Sequence, residues 1–399
     1  MQRLYYLRCV IPQARNWLLV AGLMSVVTSV SATEGDTVRP FVTANMGYDS
    51  NLFRFASDAE AQAFAGESKI PSISYQSYGA GVDVDWKQGR QQVKARVSGN
   101  KTFYSKYSDL LDYAGREING DWKWQLGNRW SGNLSASQNR TQSAYNDTTN
   151  GVIASNVRTD NRRTFQLDYW LHTDWRARAK LSNSISNYSA ISQKVRDNST
   201  TNATVGLYRL GQSVESVGVE VSKAEGTYDT HSVSDYSEQG VRLIGTWNFS
   251  GKTGFSGHMG YVQRERPSSV VRNFSGPEWN LRVTWTPTGK SQVEAALFRD
   301  LRSNDVVGSG HEVADGIKAT VALLVAPKTR LITQASHDDI GYKGDSRSDK
   351  LTNLSISASY EAWRGGDISA GWQHSSRSST DTTAEFDSNS LFVSANLRF

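Results

Sequence analysis

The residues of this 399-residue chain best suited to ligate a metal or move a proton are its six histidines: His172, His231, His258, His311, His337 and His374. No two of them share a metal-ligand spacing, and no HExxH occurs. His337-Asp338-Asp339 could hold a cation, but the same composition describes a solvated loop. His374 and Ser375 are sequence neighbours, and on a strand neighbours point to opposite faces, which prevents a nucleophile–base pair. G-x-S-x-G and P-loop runs are absent. The only cysteine, Cys9, lies close to the amino terminus and ahead of an apolar core, where it cannot serve as a lipoprotein anchor. The expectation is a protein that is not an enzyme, with no catalytic residue, no metal site and no cofactor.

What chemistry there is resides in charge at strand spacing. Arg176, Arg178 and Lys180 place three cations on one face of one strand, about 7 Å apart. Lys94, Arg96, Lys123, Arg242, Arg282, Lys318 and Arg330 fall on the same assigned face. Asp83, Asp85, Asp121, Asp168, Glu220 and Glu294 oppose them. That face is therefore expected to be mildly positive and poor in aromatics apart from Trp170. The Arg176–Lys180 ladder either guides anions or pairs with acids on neighbouring strands. The candidate solute path comprises Lys94, Arg96, Arg176, Arg178, Lys180, Arg242 and Arg282.

The elements that carry these charges read as strands throughout. Val241, Leu243, Trp247 and Phe249 alternate with Arg242, Thr246 and Asn248; Trp175, Ala177, Ala179 and Leu181 alternate with the cation ladder. Hydrophobic residues make up 38% and charged residues 21%, and no apolar run after residue 32 reaches the roughly 20 residues of a spanning helix. A helical membrane protein is thereby excluded. The 12 Trp, 17 Tyr and 13 Phe argue against disorder.

Short turns, such as those at Gly89, Gly127, Gly211-Gln212-Ser213, Gly251, Gly289 and Gly365, alternate with longer polar loops, among them Asn146 to Asn161, Arg266 to Pro277 and Ser303 to Glu312, as in transmembrane barrels. The spacing predicts an all-β, antiparallel transmembrane barrel of about eighteen strands, or sixteen if one hairpin is misread, with strands starting near Pro40, Ser72, Gln91, Tyr113, Trp130, Arg162, Trp175, Thr201, Val214, Gln239, Gly254, Glu278, Ser291, Val313, Thr329, Leu351, Asp367 and Ser390. An even number puts both termini on the periplasmic side. Nine of the twelve Trp lie beside proposed short turns, at the level where a bilayer interface would hold their rings. Ala56–Glu67, rich in alanine and helical in period, is expected to narrow the external mouth.

Residues 1–32 read as an export signal: Arg3, Arg8 and Arg15, an apolar core from Trp17 to Val27, and a small-residue cleavage site ending at Ala32. Removing them lowers the formal charge from +5 to about +2, which gives no reason to expect nucleic acid. Residues 33–399 would then form the barrel. Leu391, Val393, Ala395, Leu397 and Phe399 alternate to the last residue. A terminal Phe of this kind resembles the assembly signal of bacterial outer-membrane barrels. The resemblance implies the cell outer membrane as location, with its lipid and the barrel assembly machinery as partners.

The segment Pro40 to Arg54, ending Asp49-Ser50-Asn51-Leu52-Phe53-Arg54, resembles the opening of the EpsL-type barrels encoded with exopolysaccharide biosynthesis, as does Asp121-Trp122-Lys123-Trp124. Ser50 stands where that family has a second acid. The resemblance implies a conduit for a polysaccharide, an acidic one if the cations guide it, with periplasmic export components as further partners. The alternative is a general or sugar-selective porin taking solutes inward.

Overall fold

A computed structural model describes residues 37–145, 155–211, 216–267, 273–302 and 311–399. The export segment with its Ala32 cleavage site lies outside the described residues. So do the turn at Gln212-Ser213 and the central parts of the loops expected at 146–161, 266–277 and 303–312.

Eighteen antiparallel strands form one ring. They are β1 (Val38–Asp49), β2 (Ile73–Gln88), β3 (Gln91–Tyr104), β4 (Tyr113–Leu126), β5 (Trp130–Gln142) and β6 (Val157–His172). Then follow β7 (Trp175–Tyr188), β8 (Asn198–Leu210), β9 (Ser216–Tyr228), β10 (Tyr236–Ser250), β11 (Thr253–Glu265) and β12 (Phe274–Thr288). The last six are β13 (Ser291–Arg302), β14 (His311–Ala326), β15 (Thr329–Lys343), β16 (Ser348–Trp363), β17 (Gly366–Ser379) and β18 (Phe386–Arg398). Each strand pairs with its sequence neighbours, and β1 closes on β18 from Phe41↔Arg398 to Asp49↔Ser390. Closure leaves no edge strand, which a lipid environment requires of a sheet. The count is eighteen, so the sixteen-stranded option falls away.

The alternation sets the two faces. Val241, Leu243, Trp247 and Phe249 are exposed on the outside of the ring, as are Trp86, Trp122, Trp130, Trp175, Trp285 and Trp363 near the short-turn end. Their exposure is the lipid-facing band expected of a barrel wall. Tight turns at that end use Gly89 (φ 57°) and Gly127 (φ 58°), a conformation that side chains with a Cβ resist. The termini lie at the same end: the Phe399 N–H donates to the Pro40 carbonyl at 2.9 Å.

All eighteen strands begin within five residues of their sequence-read starts, and the differences gather at the long-loop ends. There β6 begins at Val157 rather than Arg162, β12 at Phe274 rather than Glu278, and β18 at Phe386 rather than Ser390. Beyond the bilayer both faces of a strand meet water, so the outward positions turn polar and the period-2 signal vanishes while the ladder continues.

Among the described residues the ring has no filled centre of apolar side chains; burial is local. One cluster, Phe53, Phe55, Ala61, Ile73, Leu111 and Tyr145, packs at the long-loop mouth. A second, Phe298, Ala314, Ile340 and Tyr342, lies on the inner face of β13–β15.

Candidate functional site

The inner wall is built from the polar half of each strand's alternation. The register places Arg178 of β7 opposite Asp168 of β6, both inward. Arg178 grips this carboxylate with two bonds, Nε at 2.6 Å and Nη2 at 3.2 Å. Arg176 Nε stands 3.9 Å from the same acid and lies over the Trp170 and Tyr208 rings. Lys180 sits one step further, between Gln166 and Thr204 in the register. Among the described residues it has no acidic partner, because both cross-strand neighbours are neutral. Two rungs of the ladder are therefore tied to one acid, and the third is free.

The remaining candidates all face inward, and each is paired. Arg96 reaches Asp83 at 2.9 Å, Lys94 reaches Asp85 at 3.8 Å, and Arg282 reaches Glu294 at 3.2 Å. Arg242 forms a forked pair with Glu278, whose second contact is 3.1 Å. Glu278 was missed in sequence because it lies at the apparent start of β12. Arg264–Glu238 (2.6 Å), Arg302–Asp338 (3.3 Å) and the Arg347–Asp349–Arg377 group were missed for the same reason. Continuing the alternation four residues past its apolar limit would have found them.

Two expectations need correction. The inner face is close to electrically balanced rather than mildly positive, since the outer strand ends supply acids that the shorter sequence-read strands left out. Nor is it poor in aromatics: Phe41, Tyr208, Tyr236, Phe298 and Phe386 point inward, and each carries a guanidinium over its ring. Cation–π stacking on the wall also holds the arginine planes in fixed orientation.

The first connection folds inward at the mouth. Helix α1 (Asp58–Ala65) is capped by Ser57, whose hydroxyl accepts from the Glu60 N–H at 3.2 Å, while the Glu60 carboxylate accepts from the Ala56 N–H at 2.6 Å. Gly66, at φ 68°, ends it. Ala61 is fully buried against the mouth cluster, so the sequence-read segment Ala56–Glu67 does pack at the rim. The Tyr107 hydroxyl donates to Glu67 Oε1 at 2.9 Å; burial, with the Glu67 carboxylate second, pushes this phenol up to about 12. It therefore stays a donor at any physiological pH.

The Asp49–Arg54 motif anchors this connection. Asn51 is almost fully buried: its amide donates to the Phe55 and Asp387 carbonyls at 2.9 and 3.1 Å, and its oxygen accepts from the Phe55 N–H at 2.9 Å. Arg54 lies over the inward Phe386 ring of β18. These are structural bonds across the seam where the barrel closes. Ser50, at the position of the missing second acid, accepts from the Asn389 N–H at 2.8 Å and thereby joins the same seam. Among the described residues no group of three or more His, Asp or Glu is arranged to hold a metal ion.

Comparisons with known proteins agree with this architecture. OccK2 (OpdF) of Pseudomonas aeruginosa superposes with a TM-score of 0.52 at 12% identity, covering 91% of this chain and 98% of that one. The same protein in complex with glucuronate gives 0.51 at 12% identity, covering 91% and 98%. A BenF-like porin of Pseudomonas fluorescens Pf-5 gives 0.51 at 12% identity, covering 91% and 99%. At such identity the likeness speaks for the fold alone. No curated protein matches the sequence. The EpsL-type resemblance drawn from the opening strand is set aside, because the family whose sequence model does match is one of porins. That family is described as “Putative beta-barrel porin 2”, the match spans residues 35–399, and the chain belongs to it as a porin-like β-barrel of the outer membrane.

Proposed function

We propose that this protein is a porin through which small hydrophilic solutes enter across the outer membrane. The observation that carries the reading is the closed ring of eighteen strands with a polar, ion-paired inner wall and a first connection packed at its mouth. Rings of this size leave an aqueous channel. Paired charges along such a wall present alternating fields to a passing solute and hold none tightly. A solute's own contacts with this water-facing wall are of the exposed kind worth about 0–1 kcal/mol, so they exchange readily. Lys180 and Arg330, without an acidic partner among the described residues, are among the wall's free cations for solute carboxylates. On this reading residues 1–32 direct export and are removed near Ala32, and the carboxy-terminal strand is read by the barrel assembly machinery.

The test is permeation by purified protein. Liposome swelling should proceed with neutral hexoses and with glucuronate, the solute bound in one structural relative, and should fail with oligosaccharides too large for the channel. Absence of conductance in planar bilayers would overturn the porin reading. A gene deletion that abolishes secreted polysaccharide while leaving small-solute uptake unchanged would restore the export role in its place.

A further inference from the structure

The outer surface of the ring carries a basic patch that channel function does not use. Lys101 on β3, Arg116 on β4, and Arg140 on β5 are exposed and point outward, away from the lumen. Arg116 pairs directly with Arg140 in the ladder, and Gly99, two residues from Lys101, pairs with Arg116. Arg163 on β6, opposite Ala136, extends the group toward the bilayer, with the outward amides of Gln138 and Asn161 between, bonded to each other at 2.7 Å. Among the described residues none of these four cations has an acidic partner.

The patch differs from other charged sites on this surface. Elsewhere on the outer face, at the same end of the strands, two cations pair with acids: Lys223 with Glu225 at 2.8 Å and Arg299 with Asp315 at 3.3 Å. Like charges in direct cross-strand contact destabilise a sheet. Among the described residues nothing compensates Arg116 and Arg140 in that relation, which calls for an anion from outside the protein.

The height of the patch identifies the occupant. On β4 the outward residues run from Trp124 through Trp122, Gly120 and Ile118 to Arg116; on β5 they run from Trp130 through Leu134 and Ala136 to Gln138 and Arg140. The indoles mark the periplasmic interface. Arg140 lies ten residues above Trp130, which at the usual strand tilt is about 25 Å, the height of a barrel's apolar band. The cations therefore sit at the headgroup level of the outer leaflet. Beside them the lipid-facing wall is grooved, and the groove is lined by Val42, Ala44, Tyr78, Ala80, Gly99 and Lys101. Small residues leave space in the wall, and a Cβ added at Gly99 would meet nothing closer than a backbone oxygen at 3.9 Å.

We infer that Lys101, Arg116, Arg140 and Arg163 bind the phosphate groups of a phosphorylated lipid of the outer leaflet, with an acyl chain in the groove over Ala44, Ala80 and Gly99. Guanidinium groups match phosphate oxygens with two parallel bonds, and a neighbouring lysine adds a point charge. A second copy of this chain fits the patch less well. It would have to bring acids to it, and Glu225 and Asp315, outward at this height, are already bound to their own cations. The inference needs the membrane location and is independent of which solute the channel passes.

Native mass spectrometry of the folded barrel tests it, with lipid A bearing two phosphates, its phosphate-free analogue, and inorganic phosphate as probes. The phosphorylated lipid should be retained on the parent barrel and the phosphate-free analogue should not. The triple variant Lys101→Gln, Arg116→Gln, Arg140→Gln should lose at least about tenfold in retention, as charge-assisted bonds are removed. Gly99→Leu, which fills the groove without touching a charge, should weaken the lipid while leaving any phosphate adduct unchanged. Unaltered heat-modifiability and conductance of both variants would show that the ring is intact. Equal lipid retention by parent and triple variant would overturn the inference. So would a parent that forms a dimer abolished by the triple variant and holds no lipid.

Discussion

Arg54 Nη1 donates to both carboxylate oxygens of Asp49, at 3.0 and 3.1 Å, from a backbone in the left-handed region at φ 60°. The same carboxylate accepts from the hydroxyls of Ser388 at 2.6 Å and Ser390 at 3.1 Å on the last strand. One nearly buried acid thus ties the end of β1, the first connection and β18 together. Asp49→Ala leaves a guanidinium and two hydroxyls without their acceptor and should cost about 3 kcal/mol. Arg54→Gly loses the ion pair but relieves the left-handed backbone, so it should cost only about 1 kcal/mol. Heat-modifiability midpoints on unboiled gels rank the two. The opposite order would show that the seam depends on the guanidinium rather than the acid.

The ladder of β7 divides into a paired and a free part, and ion selectivity should follow that division. Asp168→Asn together with Arg178→Gln removes a pair of zero net charge, so the reversal potential across a planar bilayer under a salt gradient should stay where it is. Lys180→Gln removes an unpaired cation from the wall and should lower anion over cation permeability about twofold. If both variants shift selectivity equally, the wall acts through its local dipoles rather than its net charge.

The strand count, the inward orientation of every candidate cation and the inward-folding segment were legible in the sequence because the bilayer enforces period 2 over most of each strand. The pairing was not. Whether Arg178 meets Asp168 depends on the β6–β7 register, and alternation fixes a residue's face without fixing its height. The outer strand ends were hidden as well. At Phe274–Pro277 of β12 the outward residues are Ser275 and Pro277, with no apolar stripe to follow, so Glu278 looked like a strand start. The Asp-x-Asn-Leu-Phe-Arg run stood out as a motif, but its work is bonding across the seam, which appears only once β18 is brought beside β1.

Deletion of Phe399 should reduce the amount of folded barrel in the outer membrane. Its N–H closes the ladder onto Pro40 at 2.9 Å, beyond the last paired residue of β18, and its side chain ends the outward apolar row of Leu391, Val393, Ala395 and Leu397. Without it, closure of the last strand on the first loses one backbone bond, worth about 1 kcal/mol. The larger expected loss is in assembly, on the proposed reading that the terminal residue is what the assembly machinery recognises. Pulse-chase of heat-modifiable protein separates these effects. Slow assembly with a normal melting midpoint supports recognition; a lowered midpoint with normal assembly makes the role purely structural.

Removing Ala56–Glu67 and joining Phe55 to Ser68 should raise single-channel conductance while the ring stays closed. The deletion spares Asn51, Phe53 and Phe55, whose bonds and ring contacts fix the start of the connection. It takes away α1, which lies over the mouth cluster, and with it the Tyr107–Glu67 hydrogen bond and the Lys106–Glu67 pair at 3.6 Å. Neither of those contacts belongs to the strand ladder, so β1–β18 pairing and the heat-modifiability midpoint should hold within about 1 kcal/mol. If the helix narrows the path, the shortened protein passes more current and admits larger oligosaccharides in liposome swelling. Glu67→Gln, which can still accept the Tyr107 bond but has no charge for Lys106, should leave conductance near that of the parent. Equal conductance of the deletion and the parent would mean that the helix covers the rim beside the channel without entering it, and that selectivity is set lower down, at the Arg176–Lys180 wall.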